Sequence, residues 1–242
     1  MAGDPPSDDD KNCTHKLTRE SVLSGDLRRL LERRDPSVRV IPDEEHCASV
    51  ATILTRHPEG GGDVWLFAYG SLIWNPMIHY VDKRVATVHG YHRRFCLWTH
   101  LGRGSADAPG LILGLDRGGA CRGLAYRIEA SIAQAELELL WRREMVTGSY
   151  CPRWVRIVTK EGGRGWAITF IINRAHQRYA GPVPEDRMVE SIAKARGALG
   201  PCAVYLFDTA RHLEALGIRD ESLFRLRDRV AQVLEGQKKN PE

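Results

Sequence analysis

One stretch of the chain, residues 64–76, limits most strongly what the chain can fold into. It reads VWLFAYGSLIWNP, an apolar run that passes through Tyr69-Gly70-Ser71 and then becomes apolar again. A core strand normally ends in a solvated turn, whereas here the turn residues stand inside the hydrophobic run. Two interpretations are open: the strand bends for packing, or the turn keeps backbone N–H groups available for a ligand.

Charge and cysteine spacing argue against several classes of protein. The net charge of the 242 residues is only +4, and the basic residues are scattered, so we expect no nucleic-acid partner. The six cysteines form no C-x-x-C pair, which predicts neither a metal site nor a redox motif. The polar N-terminus has no apolar signal region, and no apolar run is long enough to span a membrane. We therefore expect a cytoplasmic protein without a membrane partner.

Composition divides the chain into four segments. Residues 1–16 are polar and acidic and are predicted to be disordered. Residues 17–62 form a helical extension that ends in the glycine-rich joint Gly60-Gly61-Gly62, residues 63–236 form the main domain, and residues 237–242 form a tail.

Short apolar segments in the main domain predict an α+β fold. From residue 64 to about residue 129, five short strand-like segments are separated by turn signals. A helix over residues 131–146 and two further strands follow, and three helices close the chain. The β-α-β spacings are too few for a doubly wound parallel sheet. In the extension, a short helix within residues 17–35 is predicted to be capped by Ser24 or Asp26.

The helix over residues 131–146 has recognisable ends. Ser131 followed by Gln134 predicts a capping box, and Gly148 fits the end of the helix. Four charged residues of this helix are expected to point into solvent: Glu136, Glu138, Arg142 and Arg143.

One carboxylate of this helix lies on an apolar face. Glu144 follows Leu137, Leu140 and Trp141 at helical spacing, so it shares a face with three bulky apolar residues. Burial raises the pKa of a carboxyl group, as a general base working near neutral pH requires. The alternative is a structural role, in which Glu144 pairs with a buried arginine or caps a neighbouring helix.

The turn at residues 69–71 supplies a second element of a site. Successive backbone N–H groups after a strand form an anion-binding nest, Gly70 permits close approach of a ligand, and the Ser71 hydroxyl adds a donor. A nest together with a desolvated carboxylate predicts a small anionic or zwitterionic substrate that undergoes proton transfer.

Four segments, in this order, carry a family resemblance: VWLFAYGSLIWNP (64–76), GYHRRFCLW (90–98), CRGLAYRI (121–128) and LLWRREMVTGSY (139–150). They resemble the ChaC-type gamma-glutamylcyclotransferases of the glutathione-specific branch, in their bacterial-like form, over roughly residues 64–216. The resemblance implies a small mixed β-barrel flanked by helices, which makes residues 63–236 the catalytic domain.

The resemblance also implies an activity and a site. The expected reaction is cyclisation of the gamma-glutamyl group of glutathione to 5-oxoproline with release of Cys-Gly, without metal or organic cofactor. The catalytic glutamate of the family corresponds to Glu144. The glycine-rich substrate loop corresponds to Leu66, Phe67, Ala68, Tyr69, Gly70 and Ser71, with Ala68 standing where many members have glycine.

Three further residues are candidates for substrate contact. Leu72 completes the turn whose N–H groups would hold the glutamyl carboxylate or the oxyanion. Arg94 carries a guanidinium fork that suits a carboxylate, although only one of Arg93 and Arg94 can face the pocket. Tyr150 carries a hydroxyl that can donate a hydrogen bond to the substrate.

Two alternatives to a glutathione-specific enzyme stay open. The same cyclisation can act on other gamma-glutamyl dipeptides or gamma-glutamylamines. A catalytically silent binding module can use the same pocket, although it has no need of a buried carboxylate at position 144.

Overall fold

The computed structural model describes residues 17–34 and 39–239. Residues 1–16, for which we predict disorder, and residues 240–242, half of the predicted tail, lie outside the described residues. The other half of the tail belongs to the last helix, which ends at Lys239.

A closed five-stranded barrel forms the centre of the fold. Its strands are β1 (Val64–Ala68), β2 (Asp82–Thr99), β3 (Gly110–Ile128), β4 (Tyr150–Thr159) and β5 (Arg164–Ile172). They pair in the order β1-β3-β2-β4-β5, and β1 closes the barrel by pairing with β5 in parallel. The neighbours in that order are antiparallel. The prediction of an α+β fold with a small mixed barrel is therefore confirmed.

Strands β2 and β3 are longer than predicted, because glycines that read as turns bend them without ending them. Gly90, Gly118 and Gly119 adopt positive φ, which glycine tolerates at low cost. The pairing register of β2 with β3 shifts between His89 and Tyr91, as at a β-bulge. The last four of the five predicted segments are thus parts of two continuous strands.

Seven helices surround the barrel in the described part of the chain. They are α1 (Arg19–Leu23), α2 (Asp26–Arg34), α3 (Asp43–Thr55), α4 (Ala133–Glu144), α5 (Glu185–Lys194), α6 (Cys202–Ala215) and α7 (Glu221–Lys239). A short 3-10 helix spans Ser71–Ile73, and two-residue strands lie at Arg196–Gly197 (β6) and Gly200–Pro201 (β7). The three closing helices are confirmed.

The prediction of one helix within residues 17–35 is wrong, since two helices form there. The N-terminal cap of α1 is Thr18, whose hydroxyl accepts a hydrogen bond from the Ser21 N–H at 3.2 Å. Ser24 caps the C-terminus of α1, and Asp26 is the first residue of α2. Gly25, at positive φ, lies between the two helices and allows the chain to turn.

The capping box predicted for α4 is also absent. The helix begins at Ala133, and its N-cap residue, Ile132, makes no side-chain cap hydrogen bond. A backbone turn precedes the helix, in which the Ile132 N–H donates to the Glu129 carbonyl at 3.1 Å. The Gln134 amide instead donates to Glu138 at 3.0 Å. Gly148 adopts positive φ in the turn that follows α4, as its position suggests.

The core joins the barrel interior to the inner faces of the helices. Trp141 of α4 packs edge-on against Phe170 of β5, with ring centroids 5.1 Å apart. Helix α3 packs on the outside of α4, where the Trp141 indole donates to the Ser49 hydroxyl at 3.0 Å. Among the helices described, none is both long and apolar enough to cross a membrane.

Candidate active site

A cavity of about 510 Å³ opens where the turn after β1, the end of α4, the β2–β3 loop and α6 meet. Its volume suits a small ligand. The lining includes three residues singled out in the sequence, Ser71, Glu144 and Tyr150. The other lining residues are Leu17, Thr18, Trp74, Asn75, Thr99, Gly102, Arg103, Ile112, Arg143, Leu199 and Tyr205.

Glu144 lies at the last turn of α4 on the face predicted for it. Leu137, Leu140 and Trp141 are fully buried, and only 16% of the Glu144 side chain is exposed. Burial raises the pKa of Glu144, and the neighbouring Arg143 guanidinium opposes that rise. Glu144 is therefore a largely desolvated carboxyl group with a raised pKa, a property that favours general-base chemistry.

Arg143 was expected in solvent, and this prediction is wrong. Its Nε lies 2.9 Å from Glu144 Oε1, Nη2 donates to the Ser71 hydroxyl at 2.9 Å, and Nη1 donates to the Asn75 carbonyl. The arginine partner that a structural role for Glu144 would require is thus present. The same arginine also connects Glu144 to the turn after β1, and Glu144 still lines the cavity.

Glu136 was likewise expected in solvent and is buried. Its two carboxylate oxygens accept hydrogen bonds from the Arg19 guanidinium at 2.7 and 2.8 Å. The His79 backbone N–H and ring Nδ1 lie 3.1 and 2.9 Å from the same carboxylate. The reason is tertiary: α1 packs across α4 and covers a face that an isolated helix would expose. Glu138 and Arg142 remain half-exposed, as expected.

The turn after β1 offers backbone donors. Within the described part of the chain, no protein group accepts a hydrogen bond from the N–H of Gly70, Ser71 or Leu72. A Cβ at Gly70 would lie 3.1 Å from the Tyr205 hydroxyl, a contact tight enough that a larger residue would require a small shift of its neighbour. Consecutive unpaired N–H groups beside a cavity form a site that suits an anion.

The remaining residues of the expected substrate loop form the barrel wall. Leu66, Phe67 and Ala68 are fully buried in β1 and do not line the cavity. Leu72 is buried behind the turn. Tyr69 is buried too, with its hydroxyl donating to the Phe170 carbonyl at 2.7 Å.

The other predicted contacts divide between the cavity and its surroundings. Tyr150 lines the cavity, but its hydroxyl already donates to the Leu113 carbonyl at 2.7 Å, and burial raises its pKa well above the usual range. Arg94 lines a separate cavity of about 370 Å³. Arg93 is the buried member of the pair, and its Nε donates to the Tyr69 carbonyl at 2.5 Å, which helps to fix the turn.

Sequence reasoning missed the aromatic wall of the cavity. Trp74 and Tyr205 line it with ring centroids 5.7 Å apart, edge to face. Trp74 belongs to the apolar stretch at residues 64–76, so its position next to the turn was a usable signal. Tyr205 lies 131 residues after Trp74, on α6, and no local pattern connects it to the turn. No group of three or more histidine, cysteine, aspartate or glutamate residues that could hold a metal ion is found in the described ranges.

Comparison with known proteins gives concordant results. A family model described as ChaC-like protein matches residues 64–233. The glutathione-specific gamma-glutamylcyclotransferase of Escherichia coli (strain K12) is 37% identical over 207 residues, which cover 86% of this chain and 89% of that protein. The human glutathione-specific gamma-glutamylcyclotransferase 1 is 31% identical over 202 residues, 80% of this chain and 91% of that protein.

A solved structure shares the fold. The crystal structure of a yeast gamma-glutamylcyclotransferase specific to glutathione superimposes with a TM-score of 0.65 and 21% identity, covering 71% of this chain and 97% of the yeast chain. At this identity the likeness speaks for the fold alone. The family model and the two sequence relatives decide the assignment, and the chain belongs to the ChaC-like protein family.

Proposed function

We propose that this chain is a gamma-glutamylcyclotransferase that acts on glutathione and releases 5-oxoproline and Cys-Gly. The observation that carries the proposal is that Glu144, buried and with a raised pKa, lines the same cavity as the turn with unpaired N–H groups. The bacterial and human relatives that it resembles bear this activity in their names. Glutathione is the only partner that the proposal requires.

The turn is proposed to bind the glutamyl end of the substrate. The α-carboxylate of that end is anionic throughout the reaction, so a fixed set of N–H donors suits it. Gly70, Ser71 and Leu72 supply these donors, and the Ser71 hydroxyl is held in place by Arg143. The residues of β1 that were expected in the substrate loop, Leu66 to Ala68, would then act by placing the turn.

Glu144 is proposed to be the general base. The α-amine of the glutamyl group has a pKa of about 8, so it is largely protonated near neutral pH and must lose a proton before it attacks. The Glu144 carboxylate takes that proton, and its raised pKa makes it a better acceptor than an exposed glutamate. The free amine then attacks the γ-carbonyl carbon of the same molecule, and fixed orientation supplies much of the rate of this ring closure.

The second half of the reaction returns the proton. The C–N bond to the cysteine nitrogen breaks as the five-membered ring forms, and protonated Glu144 gives its proton to the leaving amine. Glutathione is thereby converted into 5-oxoproline and Cys-Gly with no water consumed, so atoms balance between one substrate and two products. Tyr150 is proposed to orient the cavity wall, because its hydroxyl is already bonded to the Leu113 carbonyl.

The cytoplasm is the proposed location. The five cysteines in the described part of the chain are unpaired. Unpaired thiols are the usual state in the compartment that glutathione keeps reduced.

Mass spectrometry of reaction mixtures tests the proposal. The protein is incubated with glutathione, with gamma-Glu-Ala, or with buffer alone, beside the Glu144→Gln variant. We expect 5-oxoproline and Cys-Gly from glutathione with the native protein only. Turnover of gamma-Glu-Ala at a similar kcat/KM would favour the broader dipeptide or amine specificity. Tight binding of glutathione without any product would favour the silent binding module.

A further inference from the structure

A second arginine, Arg103, lines the cavity and lacks an acidic partner. It lies in the loop between β2 and β3, and its Nη1 donates to the Pro201 carbonyl at 3.3 Å. In the described parts of the chain, no aspartate or glutamate oxygen lies within 4.0 Å of its guanidinium. The negative charge of Asp208 raises the pKa of Arg103, but the Asp208 carboxylate forms its ion pair with Arg211 at 3.0 Å.

The two cavity arginines differ in what they have left to bind. Arg143 is engaged with Glu144, Ser71 and the Asn75 carbonyl. Arg103 has one long hydrogen bond to a carbonyl and no neutralising charge, although burial lowers its pKa. A partly desolvated cation without an anion is unfavourable, and an incoming carboxylate would offset that cost. Guanidinium groups bind carboxylates with two parallel hydrogen bonds.

The backbone around Arg103 is held rigidly, so the side chain extends from a fixed position of the main chain. A Cβ at Gly104 would lie 2.3 Å from neighbouring backbone atoms, and one at Gly197 would lie 2.6 Å from the Gly102 carbonyl. The chain at Gly197 therefore packs directly on the loop. The Leu199 N–H also donates to the Gly102 carbonyl at 2.8 Å. Close packing of backbone on backbone leaves this loop little freedom to move.

The chemistry of glutathione offers one anion for this arginine. The tripeptide carries two carboxylates, one on the glutamyl residue and one on glycine. In the proposed function the glutamyl carboxylate binds the turn at Gly70 to Leu72, which belongs to a different element from the Arg103 loop. The glycine carboxylate is then left without a partner in the cavity.

We propose that Arg103 binds the glycine carboxylate of glutathione. It thereby selects substrates that carry a carboxylate at the end opposite the gamma-glutamyl group. The inference rests on the proposed function and adds to it a residue that determines specificity. Arg103 does not take part in proton transfer, and its effect is on recognition of the tripeptide.

A comparison of two substrates and four proteins tests this role. The substrates are glutathione and glutathione esterified with ethanol at the glycine carboxylate. The proteins are the native chain, Arg103→Gln, Arg103→Lys, and Arg196→Gln as a control, since Arg196 is an exposed arginine of β6 close to the same loop in the fold. The measured quantity is the ratio of kcat/KM for the acid to kcat/KM for the ester.

We expect the native protein to prefer the acid by about tenfold to a hundredfold, the usual effect of a hydrogen bond to a charged group. Arg103→Gln should remove most of this preference, by lowering kcat/KM for glutathione far more than for the ester. Arg103→Lys should keep part of it, because lysine retains the charge but not the fork. Arg196→Gln should keep the native ratio.

Three results would overturn the proposal: a native protein that does not discriminate between acid and ester, an Arg103→Gln variant with the native ratio, or an equal loss of both activities. An equal loss would mean that Arg103 serves the glutamyl end or the fold. If the native protein did not turn over glutathione, the proposed function would fail by itself. Calorimetry would then measure the affinities of the native chain and of Arg103→Gln for the acid and for the ester. Equal affinity of the native chain for both would overturn the proposed role of Arg103.

Discussion

Arg143 Nε lies 2.9 Å from Glu144 Oε1, and both side chains line the same cavity although they are consecutive on α4. Burial raises the pKa of Glu144, while the guanidinium lowers it. The base strength of the carboxylate therefore depends on a balance between desolvation and one adjacent cation. Arg143 also donates a hydrogen bond to the Ser71 hydroxyl, so the same side chain contacts both the proposed base and the proposed binding turn.

The first prediction concerns the pH profile of Arg143→Gln. Loss of the guanidinium removes the group that lowers the pKa of Glu144, so this pKa should rise further. The base must be unprotonated to act, so activity falls as the pH drops through its pKa, and the acidic limb of kcat/KM should move to higher pH. The profile is measured with glutathione. Arg142→Gln, on the half-exposed side of the helix, is the control, and an unmoved acidic limb in Arg143→Gln would contradict the prediction.

The second prediction is that Glu144→Gln folds normally but loses about 10²-fold to 10⁴-fold in kcat, the usual contribution of a general base. Glutamine keeps the size of the side chain and an acceptor oxygen for Arg143, but it takes up no proton at neutral pH. Release of 5-oxoproline is measured, and circular dichroism verifies the fold. Glu138→Gln, a half-exposed carboxylate of the same helix, should retain native activity. Native turnover in Glu144→Gln would exclude it as the base.

The third prediction tests the fit of Gly70 against Tyr205. Gly70 lies at φ −133° and ψ −133°, and Gly70→Ala adds a methyl group on the side of the Tyr205 hydroxyl. The added methyl would lie 3.1 Å from the Tyr205 hydroxyl, a tight contact that the Tyr205 side chain or the turn must relieve by moving a few tenths of an ångström. We expect kcat/KM for glutathione to fall about tenfold or more, because small displacements of a substrate-positioning group are costly.

Tyr205→Phe supplies the matched second change. It removes the hydroxyl that the new methyl meets, so the double variant should recover part of the activity lost in Gly70→Ala, measured relative to Tyr205→Phe alone. If the activity loss in the double variant equals the sum of the losses in the two single variants, the contact does not determine the position of the turn.

The sequence predicts those features that depend on local periodicity. The apolar face that carries Glu144 and the three closing helices follow from helical spacing, and both are present. The merging of short segments into β2 and β3 was not predictable in the same way. Whether Gly90 ends a strand or only bends it depends on whether the neighbouring strand β3 pairs with the chain on both sides of this glycine. The paired residues of β3 lie about 30 residues away in sequence.

Burial of charge was the main failure, and its cause is non-local. Glu136 and Arg143 read as solvated because they are charged and lie at the edge of the face centred on Leu137, Trp141 and Glu144. The partners that bury them, Arg19 and the turn at Ser71, are more than 70 residues distant in sequence. Leu139, on another side of the helix, predicts cover on more than one face, but spacing within the helix does not identify the partners, which are the barrel and the N-terminal extension.

The last prediction concerns the attachment of that extension. Burial alone would raise the pKa of Glu136, but the hydrogen bonds from Arg19 and His79 outweigh it and lower the pKa. A carboxyl group with a lowered pKa in the folded state stabilises the fold above its unfolded pKa of about 4.3, and this contribution is lost as the pH falls through the folded value. Glu136→Gln should therefore lower the free energy of unfolding at pH 7 by about 2 kcal/mol.

Denaturant unfolding at a series of pH values measures this difference. The deficit of Glu136→Gln relative to the native protein should shrink as the pH falls below about 4.3, because the native carboxylate becomes protonated as well. Glu138→Gln serves as the control and should show no such deficit. Since Leu17 and Thr18 line the cavity next to Arg19, loosening this contact should also raise KM for glutathione. A deficit that stays constant down to pH 3 would show that the charge of Glu136 does not hold the extension on α4.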